Sequence, residues 1–466
     1  MTSTLTAVPW SGPVDLPLGG ELDVQAACGL MHVHGRRFGR PTPLAVDYAS
    51  IVAGELSATG TRALELARLR GAPVRVATTS VAQAALLAVA QYLAAATADE
   101  PVGPFAVGGP PFVSADGVAF ELEAPEAEAW RRFWTALRAD PRAVARSWRP
   151  FADRFATATC PLPPELTGAA ARLPVHLLER TAAVTGMTLV RVAHRALDHL
   201  PPYRLVELPG ASVPAVPVPR GPLPLSGLVV LESTRRVQGP LAGHLLGQLG
   251  ATVVRVEPPG GDPTRVASPL TCPSSGPVSA RFHALNRGKQ VVEVDLGTVA
   301  GRHELLDLAA GADVFLHDWA PGEAERWSLR ARDVARARPG VVYAHASGWG
   351  GELGDRPPVG TDFVVQAHAG VPPSLMTVLE VFAGVVCAQG VVAALVRRVR
   401  EGAGQAVSAS LLSAAARLNA RAARRCTAPL AVPVCTDLAA LAADPRFARA
   451  VVRDGCAMPA PCWEFA

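Results

Sequence analysis

Between residues 225 and 265 the apolar and polar positions fall into three blocks. Leu228 to Leu231 is a short unbroken apolar run, suited to a strand buried in a parallel sheet. Pro240 can open a helix that Gly250 ends, and Thr252 to Val256 returns to β-branched residues, which predicts a second strand. In such a unit the first loop, residues 235 to 240, lies where the carboxyl end of a strand meets a helix amino terminus. That place suits an anionic ligand, so the unit is a nucleotide-binding candidate. No GxGxxG is present, and a dinucleotide pyrophosphate turn is not what the loop offers. It offers Gln238, Gly239 and Pro240 instead.

The alternation continues downstream through Val291 to Asp295, a helix near Arg302 to Ala309, a strand from Ala312 to Leu316 and another from Val341 to Tyr343. Strands and helices at this spacing predict a doubly wound parallel sheet. Upstream, the Gly/Pro loop from Pro101 to Pro111 is followed by the Asp116-Gly117 turn, a strand from Val118 to Leu122, and helices at Trp130 to Leu137 and Leu177 to Val184. These predict a second, smaller α+β domain. Proline in residues 208 to 224 marks an extended linker.

One order of segments occurs twice. Gln25, Gly29 and the stretch Val46 to Ser50 lead into a long Ala/Leu helix; Asp362 to Gly370 and Leu379 to Gly384 lead into a long Ala/Val helix. Each helix is followed by a short strand, Val74 to Ala77 or Ala406 to Ser408, and then by Ser80 or Ser410 opening a further helix. Repetition on this scale predicts two degenerate repeats, 16 to 207 with the small domain and 225 to 466 with the nucleotide-binding unit.

Composition narrows the classes. At 466 residues, with 49% hydrophobic and 18% charged, the chain has material for several cores, and a net charge of +4 implies no nucleic-acid partner. Eight cysteines without CxxC spacing argue against a metal ribbon or redox pair and for free cytoplasmic thiols. No secretory signal is seen at the start. Val81 to Ala98 and Leu375 to Val396 approach membrane-spanning length, but Gln83, Gln91, Glu380 and Gln389 make them buried helices rather than spans.

The stretch from 225 to 265 resembles the amino-terminal signature of the family III CoA-transferases (the CaiB/BaiF family). The matching pieces are the Gly227 to Leu231 strand, the Gln238 loop, Leu249-Gly250-Ala251, Val254 to Glu257 and Gly261 to Arg265. The resemblance implies a CoA-transferase moving CoA from an acyl-CoA to a free carboxylic acid, with coenzyme A as part of the substrate and no metal. It also implies a cytoplasmic enzyme that forms a homodimer or imitates one alone. A non-catalytic acyl-CoA-binding or partner-binding protein, and an acyl-CoA isomerase or dehydratase, are the alternatives.

Such chemistry needs a carboxylate nucleophile to attack the thioester, and donors aimed at the developing oxyanion. Counting from the family's Ala-Gly pair, Glu380 is the first candidate and Asp47 the second. As plain structure, Glu380 complements a helix dipole and Asp47 caps a helix. The resemblance assigns Gln238 to the active site and Gly108 and Gly109 to the glycine loop, against ordinary helix-start bonding and a plain turn. It gives CoA binding to Arg255, Arg265, Arg287, Lys289 and Trp319, against surface charge for the cations. Asp318 stands where the family carries Asn, and Thr361 where its racemases carry His, so a racemase proton shuttle is not expected.

Overall fold

The computed structural model describes residues 8–209, 219, 221–354, 356–420 and 430–466; most of the 208–224 linker and Cys426 lie outside them. The first helices that matter for the site are α1 (Glu21–Ala27) and α2 (Tyr48–Leu69). Ser80 then accepts the Gln83 N–H to cap the helix Val81–Ala88. The predicted helix 81–98 breaks at Val89, and a second helix runs Ala90–Ala96.

The small unit is a three-stranded antiparallel sheet of Phe112–Val113, Ala119–Glu123 and Thr188–Arg191. Its amphipathic helices Ala127–Ala136, Pro141–Ala152 and Val175–Thr185 bury Trp130, Phe133, Trp134 and Phe151 against one another. Trp130 and Phe151 lie 4.2 Å apart between ring centroids.

The large sheet has seven strands: β1 (Tyr203–Leu208), β2 (Val229–Ser233), β3 (Thr252–Glu257), β4 (Gln290–Glu293), β5 (Val314–His317), β6 (Val342–Ser347) and β7 (Gly404–Ser410). They lie in the order β4-β3-β2-β5-β6-β7-β1. Six are parallel and β1 closes the edge antiparallel to β7. The architecture is mixed α/β with a parallel-dominated sheet. Alternate strand residues serve two cores: Val230, Leu316 and Ala344 face one, and Leu231, Phe315 and Tyr343 face the other.

Three further helices, α3 (Gln238–Gln248), α4 (Asp362–Ala369) and α5 (Val378–Glu401), belong to the first core. α5 is long and apolar enough by composition to cross a membrane, yet its apolar stretch is buried throughout in the fold. The sheet covers one side and α2 another, so no face is left over. The α2–α5 contact has polar anchors: Tyr48 Oη donates to the Val378 carbonyl at 2.8 Å, and buried Glu55 takes Gln389 Nε2 and Arg417 Nε, each at 2.8 Å. Each anchor joins the first half of the chain to the second.

Candidate active site

From β2 the chain passes through α3 to β3 and β4 on one side, then returns to β5 on the other side of β2. The loops after β2 and β5 therefore part, and a crevice opens at the carboxyl ends of the strands. A cavity of about 490 Å³ occupies it, lined by Ser233 to Arg236, Glu257, Asp318 and Trp319 among others. Asp318 accepts the Arg235 N–H at 2.8 Å, and burial lifts its pKa to about 7. A Cβ on Gly239 would stand 2.5 Å from Thr234 Cβ and 3.1 Å from Asp318 Oδ2, so the loop closes this tightly only with glycine there.

The first turn of α5 meets this loop from below. Glu380 is 6% exposed, and its backbone N–H donates to Asp362 Oδ2 at 2.7 Å. Glu380 Oε2 accepts the Val237 N–H at 3.2 Å, and Arg236 Nε stands 3.7 Å from Oε1. Arg236 holds a left-handed backbone with φ 64°, an uncommon conformation for a residue with a Cβ. Gln238 is buried, and its Nε2 has no hydrogen-bond partner among the described residues. One turn along α5, a Cβ on Gly384 would lie 2.9 Å from the Gln238 carbonyl oxygen, so glycine lets α5 approach α3 closely.

Asp362, at the start of α4, is completely buried. Burial first, and the Glu380 charge second, raise its pKa to about 7, while the Gln366 amide donates to it. A second cavity, about 380 Å³, lies between the loop at Arg236 and Val237, the helix Ala280–Asn286 and the small unit's Arg149 to Thr157. Arg236 lines both cavities, and Glu380 stands behind it. Glu380 and Gln238 themselves line neither cavity; Glu380 is fixed behind Arg236, the one residue common to both linings.

Residues 225–443 match the model of CoA-transferase family III. Over these residues the chain is similar to the family III CoA-transferases. The probable fatty acyl-CoA transferase Rv3272 of Mycobacterium tuberculosis is 37% identical over 210 residues, 42% of this chain and 52% of its own length. The acetyl-CoA:oxalate CoA-transferase of Acetobacter aceti is 31% identical over 41% of this chain and 51% of its own. Human succinyl-CoA:glutarate CoA-transferase is 31% identical over 41% and 45%. A solved CaiB/BaiF family protein from Brucella suis is 30% identical with a TM-score of 0.39, covering 42% of this chain and 55% of that one. The chain spans about half the length of the curated relatives it matches.

Within the matched segment, the expected CoA-binding cations already have partners; Arg255 and the Lys289 side chain are turned inward, and Arg265 and Arg287 are half-buried. Arg255 is 1% exposed and donates to Glu232 at 2.7 Å, Glu257 at 3.1 Å and Asp262 at 2.6 Å. Arg265 pairs with Glu257 at 2.7 Å, Lys289 with Glu232 at 2.8 Å, and Arg287 donates to the Pro459 carbonyl at 2.9 Å. Trp319 does line the crevice, with Nε1 donating to Ser233 Oγ at 2.9 Å. Glu232 and Arg255 are register partners on β2 and β3, a pairing that spacing along one strand does not disclose.

Gly108 and Gly109 pack in the small unit, where the Gly108 N–H donates to the Arg37 carbonyl at 3.0 Å and is not free for an oxyanion. A Cβ on Gly109 would stand 2.7 Å from Leu375 Cδ1, on the segment leading to α5, and neither glycine lines the two cavities. Asp47 sits at the N-cap of α2 without a side-chain capping bond and also lines neither. Sequence reasoning missed Arg236, whose left-handed backbone has no sequence signal, and gave Asp362 no role. The spacing of Asp362 and Gln366, one helical turn, was the available hint.

Proposed function

We propose that the chain moves CoA from an acyl-CoA thioester to a free carboxylic acid, with Glu380 as nucleophile. The observation that carries this is the buried Glu380 carboxylate held on the loop at Arg236, the residue common to both cavities, a loop that also carries the unpaired Gln238 amide. The nucleotide end of CoA fits the crevice against Trp319, and the acyl group fits the second cavity. Glu380 attacks the thioester carbonyl and expels CoA thiolate, leaving a mixed anhydride. The thiolate then attacks the glutamyl carbonyl and releases the first acid, which leaves a glutamyl-CoA thioester. The incoming carboxylate attacks this thioester, and the thiolate returns to the new acyl carbonyl, which restores Glu380. The Gln238 amide, unpaired among the described residues, supports its reading as a donor to the oxyanion of these steps. Relatives named as acetyl-CoA:oxalate and succinyl-CoA:glutarate CoA-transferases support the reaction class.

The same proposal takes the chain as two degenerate CaiB/BaiF repeats folded into one pseudo-symmetric unit, either alone or as a homodimer. The matched starts of α2 and α5 support it, with N-cap φ/ψ of −75°/59° and −77°/55°. Seven described free cysteines accord with a cytoplasmic setting. One observation favours the second reading, a non-catalytic binding protein: the expected phosphate ligands Arg255, Arg265 and Lys289 are already paired with carboxylates. Incubation with an acyl-CoA followed by borohydride or hydroxylamine separates the two. A modified peptide carrying Glu380 supports transfer; an unmodified chain that still binds the ester supports the second reading.

A further inference from the structure

The middle strand of the small unit buries two glutamates on the face where polar residues usually meet water. Along Ala119–Glu123 the side chains alternate, and Phe120 and Leu122 enter the small unit's core. Glu121 and Glu123 point the other way, yet they are only 4% and 7% exposed, because α4 packs across that face. A buried carboxylate is costly unless it is paired or takes up a proton. Glu121 takes the second course: burial lifts its pKa to about 8, against the lowering effect of the Arg154 and Arg37 charges. Glu123 takes the first, with Arg154 Nη2 at 2.9 Å from its Oε2.

The same Glu123 oxygen accepts the hydroxyl of Thr361. Thr361 is the N-cap of α4, where a threonine ordinarily turns its oxygen to a helix N–H. Here it makes no capping bond, and its hydroxyl crosses to the small unit instead. That bond fixes where α4 begins, not how well it is capped. The next residue is Asp362, which accepts the Glu380 N–H at 2.7 Å. The one after, Phe363, packs into the small unit's core with its ring centroid 4.5 Å from the Arg154 guanidinium. Arg154 has a second connection, because its neighbours Asp153, Phe155, Ala156 and Thr157 all line the second cavity. Its own buried side chain is absent from that lining and donates to the Phe151 carbonyl at 2.6 Å, the Leu122 carbonyl at 3.2 Å and Glu123.

We propose that Glu123 is a positioning residue for CoA transfer: through Arg154 it holds the wall of the acyl cavity, and through Thr361 and Asp362 it holds the helix start that carries Glu380. One carboxylate oxygen thus sets the separation between the bound acyl carbonyl and its nucleophile. The proposal rests on the transfer reading for the identity of that nucleophile. Glu123 lines neither cavity, so it acts through other residues. A displacement of the nucleophile by about 1 Å costs on the order of 10²-fold in rate, and a loosened tie is therefore read in kcat and not in KM.

The full chain is tested as Thr361→Val, Thr361→Ser and Glu123→Gln, with adduct formation at Glu380 from an acyl-CoA followed by rapid-quench mass spectrometry. Valine keeps the shape, loses the hydroxyl and leaves Glu123 paired with Arg154. The expected result for Thr361→Val is a maximal rate lower by about tenfold, with half-saturation by the acyl-CoA within about twofold of the native value. Thr361→Ser keeps the native rate, and Glu123→Gln, which still offers Thr361 an oxygen but Arg154 no charge, falls between the two. If Thr361→Val does not fold, Glu123→Gln carries the comparison, with a lower maximal rate at unchanged half-saturation. An unchanged rate in Thr361→Val, an equal loss in Thr361→Val and Thr361→Ser, or a loss confined to half-saturation overturns the proposal and leaves transfer standing. A native chain that forms no adduct removes the transfer reading instead, and the tie is then read by hydrogen exchange over the peptide from Leu375 to Gly384. Faster exchange there in Thr361→Val than in the native chain and Thr361→Ser upholds the link from Glu123 to the Glu380 N–H; equal exchange in all three overturns it.

Discussion

The starts of the two long helices α2 and α5 share a frame and differ at the third helical residue in where the side chain reaches. In α5, Asp362 accepts the Glu380 N–H and is held by the amide of Gln366, one turn along α4. In α2, Glu21 accepts the Ala49 and Ser50 N–H groups at 2.9 and 2.8 Å and is held by Gln25, one turn along α1, at 2.8 Å. The position of Glu380 is taken by Ser50, whose hydroxyl turns back to Glu21 at 2.5 Å. Glu380 instead reaches forward to the Val237 N–H and to Arg236. A helix start braced by a carboxylate, buried at Asp362 and partly buried at Glu21, is thus common scaffolding; a site arises only where the third helical residue projects into the opposite loop.

The sharpest way to break that contrast is Glu380→Gln. It keeps the size and the Val237 hydrogen bond but cannot form an anhydride, so thioester adduct and turnover should fall by about 10⁴-fold or more in a mass-spectrometric trapping assay. An adduct at undiminished yield would remove Glu380 from the chemistry. Next in size is Asp362→Ala, which leaves the Glu380 N–H without its acceptor. A shift of the nucleophile by about 1 Å costs on the order of 10²-fold in rate, and stopped-flow adduct formation should show a loss of that order.

Asp362→Asn keeps an acceptor and should recover most of this rate while changing the pH dependence. Burial raises Asp362 to about 7, so the folded chain holds its proton more tightly than the unfolded one. Its stabilising contribution is complete below the ordinary carboxylate range and is lost as pH rises through about 7. Denaturant midpoints of the native chain should therefore decline from pH 4 to pH 8, and those of Asp362→Asn should decline less. Asp318, raised to about 7, and Glu121, raised to about 8, both chiefly by burial, keep part of the slope in either protein.

Local chemistry explains how much of this was legible beforehand. The unit predicted from Leu228 to Val256 appears as β2, α3 and β3 because apolar runs, a helix-opening proline and Gly250 act over a few residues. Edge strand β1 was not foreseen: Tyr203–Leu208 is mostly half-exposed and becomes a strand only because β7 offers it an antiparallel edge. Gln238 and Glu380 do meet at one loop, but the phosphate ligands expected at 255, 265 and 289 went into an ion network. A sequence shows that a strand carries arginine; it does not show which carboxylate the neighbouring strand will place opposite. The roles of Arg236, Asp318 and Asp362 likewise depend on burial and on contacts between residues 18 to 144 positions apart.

Gly384→Ala tests how closely the forward-reaching frame is fitted. The new Cβ would lie 2.9 Å from the Gln238 carbonyl oxygen and 3.1 Å from Leu241, and backbone cannot yield as a flexible side chain does. Overpacking of this kind costs about 1–3 kcal/mol, and moving α3 off α5 also moves Val237 away from Glu380. Both the denaturant midpoint and the adduct rate should fall, the rate by about tenfold. An unchanged rate would mean that the Val237 contact does not position the carboxylate.

Ser50→Ala is the mildest change and isolates the scaffold from the chemistry. It removes the hydroxyl donor to Glu21, while the Ala49 and Ser50 N–H groups and Gln25 still hold that carboxylate. One lost hydrogen bond to a partly buried carboxylate is worth about 1–2 kcal/mol, and the other donors keep Glu21 satisfied, so the lower figure applies. The melting temperature should drop by about 1 °C, with adduct formation at Glu380 unaltered, because the Ser50 hydroxyl turns back to Glu21. A loss of adduct from this substitution would show that the start of α2 also takes part in the reaction, and the contrast between a braced helix start and a reacting one would no longer hold.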